Sequence, residues 1–304
     1  MDRTIFRGVG TAIVTPFHEG GVDYEAFAKL IDFQIENKAD AIIVCGTTGE
    51  SATMPDQEHL DVIRFCVSHV NGRVPVIAGT GSNDTLHAVE LCKEAENAGA
   101  DALLLVTPYY NKTTQKGLAA HYRYIAGRTS LPIILYNVPS RTGLNISLDT
   151  LKALSDVENI VAIKEASGNI SFMAQIAAEC PNLAIYSGND DMTLPALSLG
   201  AYGVISVASN ILPKQMHDIC ELYFCGEVEQ SRKLFLSLID IMDKLFIEVN
   251  PIPVKAALNL MGMHAGILRM PLCEIGEANM EKLKAAMLGC GIKIQTARLL
   301  MYFA

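Results

Sequence analysis

The chain has 304 residues, half of them hydrophobic and 19% charged, with a formal net charge of -9. A charged fraction below the roughly 25% of an average globular chain predicts a large buried core and excludes disorder over most of the length. No Lys/Arg-rich run offsets the acidic balance, so neither a nucleic-acid surface nor an anionic-membrane surface is expected, and any basic group that matters must act singly.

The first residues, Met1 to Gly8, hold neither an apolar segment nor a small-residue cleavage site, and no apolar run reaches about 18 residues, so a soluble, cytoplasmic chain is expected. From there, β-like apolar runs recur at Gly8-Val14, Asp40-Val44, Val74-Ala78, Asp101-Val106, Ile133-Tyr136, Ile160-Lys164, Leu183-Tyr186 and Gly203-Val207. Their starts step by roughly 20 to 34 residues, about the length of a strand plus a helix. Phe27, Leu30, Ile31 and Ile35 fall on one helical face between the first two runs, and Leu60, Ile63, Val67 and Val70 do so between the next two. Eight strand-helix units predict an α/β fold closed as a (β/α)8 TIM barrel, with a doubly wound open sheet as the alternative.

After about Pro213 the β-like runs stop. Met216, Ile219, Cys220 and Tyr223 share one helical face, and Leu234, Leu238, Ile241, Met242 and Leu245 another; Pro253 to Met261 and Ala278 to Leu288 also read as helix. The expected division is a barrel over 1–212 and a C-terminal helical region over 213–304 packed on it, with no low-complexity linker between them. Eight cysteines lie scattered, mostly in apolar stretches and without CxxC pairs, which predicts free buried thiols in a reducing compartment.

In a closed parallel barrel, function gathers at the carboxyl ends of the strands. There the sequence turns polar, with Gly46-Thr47-Thr48-Gly49-Glu50, Gly79-Thr80-Gly81-Ser82-Asn83, Thr107-Pro108-Tyr109-Tyr110-Asn111 and Ser187-Gly188-Asn189-Asp190. Such loops offer backbone N–H groups and hydroxyls to a small carboxylate or carbonyl compound. Lys164 ends the run Ile160-Val161-Ala162-Ile163 and shares the small-residue face of Ala162, the expected barrel interior. An ordinary lysine amine is about 0.04% neutral at pH 7, so a nucleophilic one must be desolvated or set beside another charge. A lysine ion-paired with a carboxylate across the barrel mouth fits the same position.

Tyr136 ends the preceding strand and could pass protons to and from a carbinolamine, or be a core tyrosine with its hydroxyl satisfied at the rim. Arg141, in a Pro/Gly-bounded loop, could grip a carboxylate or stand solvated. Thr47 and Thr48 between two glycines could form an anion-binding nest or a plain strand-to-helix turn. The third glycine of a dinucleotide fingerprint, a phosphate-binding lysine loop and metal-ligating histidine spacing are all missing, so no nucleotide, cofactor or metal is expected. Thr53-Met54-Pro55-Asp56 has capping-box spacing interrupted by proline, and Asp56 is expected to open a helix.

Three motifs together, Gly46-Thr47-Thr48-Gly49-Glu50-Ser51, Tyr136-Asn137-Val138-Pro139-Ser140-Arg141-Thr142-Gly143 and Lys164-Glu165-Ala166-Ser167-Gly168, resemble the dihydrodipicolinate synthase family, within the superfamily of pyruvate-dependent class I aldolase-like barrels. The resemblance runs from about Phe6 to about Leu288. It implies condensation of pyruvate with L-aspartate 4-semialdehyde to 4-hydroxy-tetrahydrodipicolinate, in lysine (diaminopimelate) biosynthesis. It further implies that Lys164 forms a Schiff base with pyruvate, whose carboxylate rests on Thr47 and Thr48. Tyr136 would shuttle protons, linked through Thr47 to Tyr110, which reaches into the neighbouring subunit's site across a tight dimer. Arg141 would bind the carboxylate of the semialdehyde, and Gly188 and Ile205 would line the pyruvate pocket. The implied assembly is a homo-oligomer, dimer or tetramer.

The alternatives are a sugar-acid lyase using the same lysine and tyrosine, whose loop after the tyrosine normally lacks the Pro-Ser-Arg-Thr-Gly run, and an inert barrel that senses a small molecule. The resemblance also implies an allosteric site for lysine at Ser51, Ala52, Asp56, His59, Asn83, His87 and Tyr109. Lysine-sensitive members carry, at the position of His87, a glutamate that grips the lysine ammonium, so weak or absent lysine inhibition is expected here.

Overall fold

A computed structural model describes residues 4–295. Eight parallel strands, β1 (Gly8–Ala12), β2 (Ala41–Val44), β3 (Val76–Gly79), β4 (Ala102–Val106), β5 (Ile133–Asn137), β6 (Ile160–Glu165), β7 (Ala184–Ser187) and β8 (Gly203–Ser206), close into a barrel. Each pairs with its neighbours in sequence, and β8 returns to β1 with Gly8 opposite Gly203. The closed order excludes the open doubly wound sheet, and the eight strands lie where the apolar runs place them, shifted at their ends by a residue or two.

Strand alternation sorts the apolar residues into two cores. Ala41, Ile43, Ile77, Leu104, Ile134, Tyr136, Ala162 and Ile205 fill the barrel, while Ile42, Val44, Leu103, Leu105, Leu135 and Ile163 face the surrounding helices. At the amino end of the strands Phe6 stacks on Tyr186 with ring centroids 4.3 Å apart, and the Tyr186 hydroxyl donates to the Phe6 carbonyl (2.6 Å). This pair stoppers the barrel below.

The β8–β1 seam is tight. A Cβ on Gly203 (φ +151°) would stand 1.8 Å from the Gly8 carbonyl oxygen, so only glycine fits there. Above the seam, Asn210 accepts from Val14 N (3.1 Å) and donates to the Ala12 carbonyl (2.8 Å).

The helix Asp56–Val70 begins at Asp56 as expected, but Pro55 occupies the cap position without a side-chain cap bond, so no capping box forms. Its buried stripe is His59, Val62, Ile63, Cys66 and Val70, with Leu60 and Val67 half-buried at its flank. Beyond the barrel strands the chain is helical over Pro213–Phe224, Val228–Ser237, Ile239–Lys244, Ile252–Leu260 and Glu277–Gly289. The first of these packs directly on β1, in the ring of helices around the barrel.

The His217 imidazole of that first helix lies 2.9 Å from Asp40 Oδ2, and the same oxygen accepts from Val9 N (2.7 Å). The hydrogen bond to Asp40 holds His217 above its ordinary value, against burial. A raised folded-state value means that the stabilisation is complete below the unfolded imidazole pKa and is lost as pH rises through the folded one. Unfolding titrations of wild type and His217→Gln should therefore differ most at about pH 5.5 and converge by about pH 8.5. A constant difference across that range would contradict the ion-pair assignment.

Candidate active site

Lys164 and Tyr136 lie side by side because β5 and β6 pair in register there. Lys164 is 6% exposed, and its Nζ stands 4.3 Å from the centroid of the buried Tyr136 ring. No carboxylate among the described residues forms an ion pair with Lys164, which removes the structural reading of this lysine as half of a salt bridge. The barrel thus holds a buried amine against an aromatic face, within electrostatic reach of Asp190 but in no ion pair, at the carboxyl end of the strands.

The outward neighbours of this pair brace it. Glu165, opposite Asn137 in the ladder, accepts from Asn137 Nδ2 (2.7 Å) and from Ser167 N (2.6 Å), and burial pushes its carboxyl up. These bonds fix the ends of β5 and β6 from behind while Tyr136 and Lys164 point inward. Asp190, buried in the turn after β7, accepts from Val207 N (3.0 Å) and Ala208 N (2.9 Å). Burial raises the Asp190 carboxyl against the pull of its hydrogen-bond donors and of the Lys164 charge. Asp190 thereby joins the loop after β7 to the end of β8, where Ile205 is fully buried inside the barrel.

Thr47 and Thr48 occupy a 3-10 turn, Thr47–Gly49, directly after β2. Thr48 is buried and its Oγ1 accepts from Asn250 Nδ2 (3.0 Å). Arg141, exposed at its tip, donates from Nη2 to the main-chain carbonyl of the same Asn250 (3.2 Å). Glu50 faces away from this site: it adopts a left-handed backbone (φ +57°) and pairs with Lys255 Nζ at 2.7 Å, both side chains out of water. Lys255 also donates to the carbonyls of Thr15 (3.0 Å) and Ile267 (2.5 Å), and Glu50 Oε2 accepts from Arg269 N (3.1 Å). Burial pushes the Lys255 ammonium below the ordinary lysine value, and Glu50 pulls it back up.

Tyr110 is apart from these groups within one chain. It is 92% exposed on a left-handed backbone (φ +67°). Of the expected effector positions, Asp56 Oδ1 meets His87 Nε2 at 3.1 Å and His87 Nδ1 lies 3.2 Å from Ser82 Oγ, while Asn83 receives a bond from Asn111 on its carbonyl (2.9 Å). His59 is buried with its Nε2 at 2.9 Å from the Gly79 carbonyl, and burial lowers its pKa. Ser51 and Ala52 sit in a short turn before this helix, and Tyr109 is exposed.

Asn250, Lys255 and Asp190 did not stand out in sequence. Lys255 is the one charged residue in the helix Ile252–Leu260, which is the signal that could have found it.

The model of the dihydrodipicolinate synthetase family matches residues 5–288. The 4-hydroxy-tetrahydrodipicolinate synthase of Caldicellulosiruptor saccharolyticus is 59% identical over 292 residues, covering 96% of this chain and 99% of that protein. Among solved structures, the dihydrodipicolinate synthase of Thermotoga maritima superposes with a TM-score of 0.93 at 46% identity, covering 95% of this chain and 99% of its own. A monomeric dihydrodipicolinate synthase variant also gives 0.93, at 45% identity over 96% of this chain and 99% of its own.

Gly188 keeps the space beside the amine. A Cβ there would lie 2.5 Å from Ala166 Cβ and 3.1 Å from Lys164 Cε, so Gly188→Ala must displace Ala166 and push the lysine stem by a fraction of an ångström. Misplacement by about 1 Å lowers reaction rates about a hundredfold, so borohydride trapping of pyruvate on Gly188→Ala should slow by roughly tenfold while the fold survives. An unchanged trapping rate would show that the contact does not matter.

Proposed function

The chain belongs to the dihydrodipicolinate synthetase family, and from that premise we propose that it condenses pyruvate with L-aspartate 4-semialdehyde to 4-hydroxy-tetrahydrodipicolinate, in lysine biosynthesis. The observation that carries the assignment of residues is the Lys164 amine, buried beside Tyr136 without a carboxylate partner. A lysine amine held there, beside an aromatic face and tied up in no ion pair, is placed to act as a nucleophile toward a carbonyl carbon.

Lys164 Nζ adds to C2 of pyruvate, and the carbinolamine loses its oxygen as water to leave a protonated imine. Loss of a proton from C3 gives the enamine, whose C3 attacks the aldehyde carbon while the aldehyde oxygen takes up a proton. The semialdehyde's own amine then adds to the imine carbon and displaces Lys164, closing the ring. Tyr136 carries protons in these steps, with Thr47 and a neighbouring copy's Tyr110 as the relay to solvent. The outward, left-handed Tyr110 supports that relay, because its side chain stands almost wholly in solvent within its own subunit. On this reading the working form is at least a dimer.

Thr47 and Thr48 receive the pyruvate carboxylate on their turn, Gly188 and Ile205 bound its pocket, and Arg141 takes the carboxylate of the semialdehyde. No helix among the described residues is long and apolar enough to cross a membrane. The free thiols of Cys45, Cys66, Cys92, Cys180 and Cys220, all buried, fit a reducing cytoplasm.

Incubation with pyruvate and borohydride should add the mass of a reduced pyruvyl group to the Lys164 peptide, and Lys164→Ala should neither trap pyruvate nor consume it with the semialdehyde. Turnover by Lys164→Ala near the wild-type rate would end the assignment. Lysine is expected to inhibit weakly or not at all. Asp56, the one carboxylate among the effector positions, is already engaged by His87. Half-inhibition should need well above about 1 mM lysine, a free energy weaker than about 4 kcal/mol; sub-millimolar inhibition would refute it.

A further inference from the structure

We propose that Asn250 is the positioning residue for the pyruvate subsite, holding the Thr48 hydroxyl so that its proton points at the substrate carboxylate, while its backbone separately steadies Arg141. The inference rests on the assignment of Thr48 to pyruvate made above. A threonine hydroxyl has a single proton and two lone pairs. Thr48 Oγ1 accepts from Asn250 Nδ2 at 3.0 Å, so its own proton is left for another acceptor. The opposite amide orientation would make Asn250 the acceptor and draw that proton away from the substrate.

Asn250 is 5% exposed, and its Oδ1 is buried with no hydrogen-bond partner among the described residues. A buried amide oxygen without a donor is unfavourable for folding, which marks the residue as kept for its other end. Its main-chain carbonyl accepts from Arg141 Nη2 at 3.2 Å. One residue therefore serves both carboxylate-binding groups, through its side chain on one side and its backbone on the other. Substitution of the side chain separates the two.

Asn250→Ala removes the donor to Thr48 and leaves the carbonyl to Arg141 in place. The pyruvate concentration for half-maximal borohydride trapping should rise roughly tenfold, the scale of one neutral hydrogen bond, with the KM for the semialdehyde within about twofold. Asn250→Asp has nearly the same shape but can only accept when ionised. It should turn the Thr48 proton away and set a negative charge beside the pyruvate carboxylate, raising half-saturation by about a hundredfold, with the deficit narrowing as acid protonates the new carboxyl. Asn250→Asp that traps pyruvate like wild type, or variants that lose pyruvate and semialdehyde to the same extent, would overturn the proposal. Failure of the wild type itself to trap pyruvate would instead overturn the assignment of Thr48 on which it rests.

Discussion

The buried ion pair between Lys255 and Glu50 is the constraint on which the carboxyl end of the barrel depends. Lys255 is 1% exposed and ties together three stretches of chain: the carbonyl of Thr15 after β1, the carboxylate of Glu50 after β2, and the carbonyl of Ile267 in the C-terminal region. Arg269 extends the network, donating its backbone N–H to Glu50 and its guanidinium to Glu58. Such a pair adds little net stability over a well-packed apolar substitute, yet loss of one partner strands a buried charge and typically costs about 3–5 kcal/mol. What it supplies is geometry. It holds Glu50 in a left-handed conformation that a non-glycine residue adopts only under constraint, and that turn is the one that carries Thr47 and Thr48.

The surroundings of Lys164 are organised on the opposite principle. Where the outer network satisfies every charge, the barrel interior gives Lys164 an aromatic face, alanines and a glycine. The hydrogen-bonded groups lie around it: Glu165, one residue on and facing outward, with Asn137, and Asp190, in the turn after β7, with the amides of Val207 and Ala208. Period-two alternation lets adjacent residues do opposite work, with Glu165 anchoring the strand and Lys164 left available.

The fold was legible in the sequence because a closed barrel repeats one local pattern eight times. Each apolar run and each amphipathic helix carries its signal within a window of a few residues, and the longest slip at a strand's carboxyl end comes where the buried Ile13 and Val14 continue past the ladder after β1. The strand-end residues Lys164 and Tyr136 could be found for the same reason. The groups that hold the site together could not. Lys255 and Glu50 are 205 residues apart, and Asn250 and Thr48 are 202 apart, so no periodicity relates them. Lys255 was absorbed into an apolar helix pattern and Asn250 fell in the irregular stretch before it. In sequence Asp190 is one more polar residue in the run that follows the seventh strand, and only the 3-10 turn of the folded chain buries it.

The Phe6–Tyr186 stopper gives the barrel the topology of a test tube rather than a pipe. Everything that reaches Lys164 enters through one aperture and leaves by the same way, so traffic is last in, first out. On the proposed function, a 2-oxo acid bonded to Lys164 would lie beneath the aldehyde that follows it, and the ring that forms would have to depart before the next keto acid could enter. An ordered, alternating sequence of arrivals and departures follows from that shape, independently of how tightly any one molecule is held.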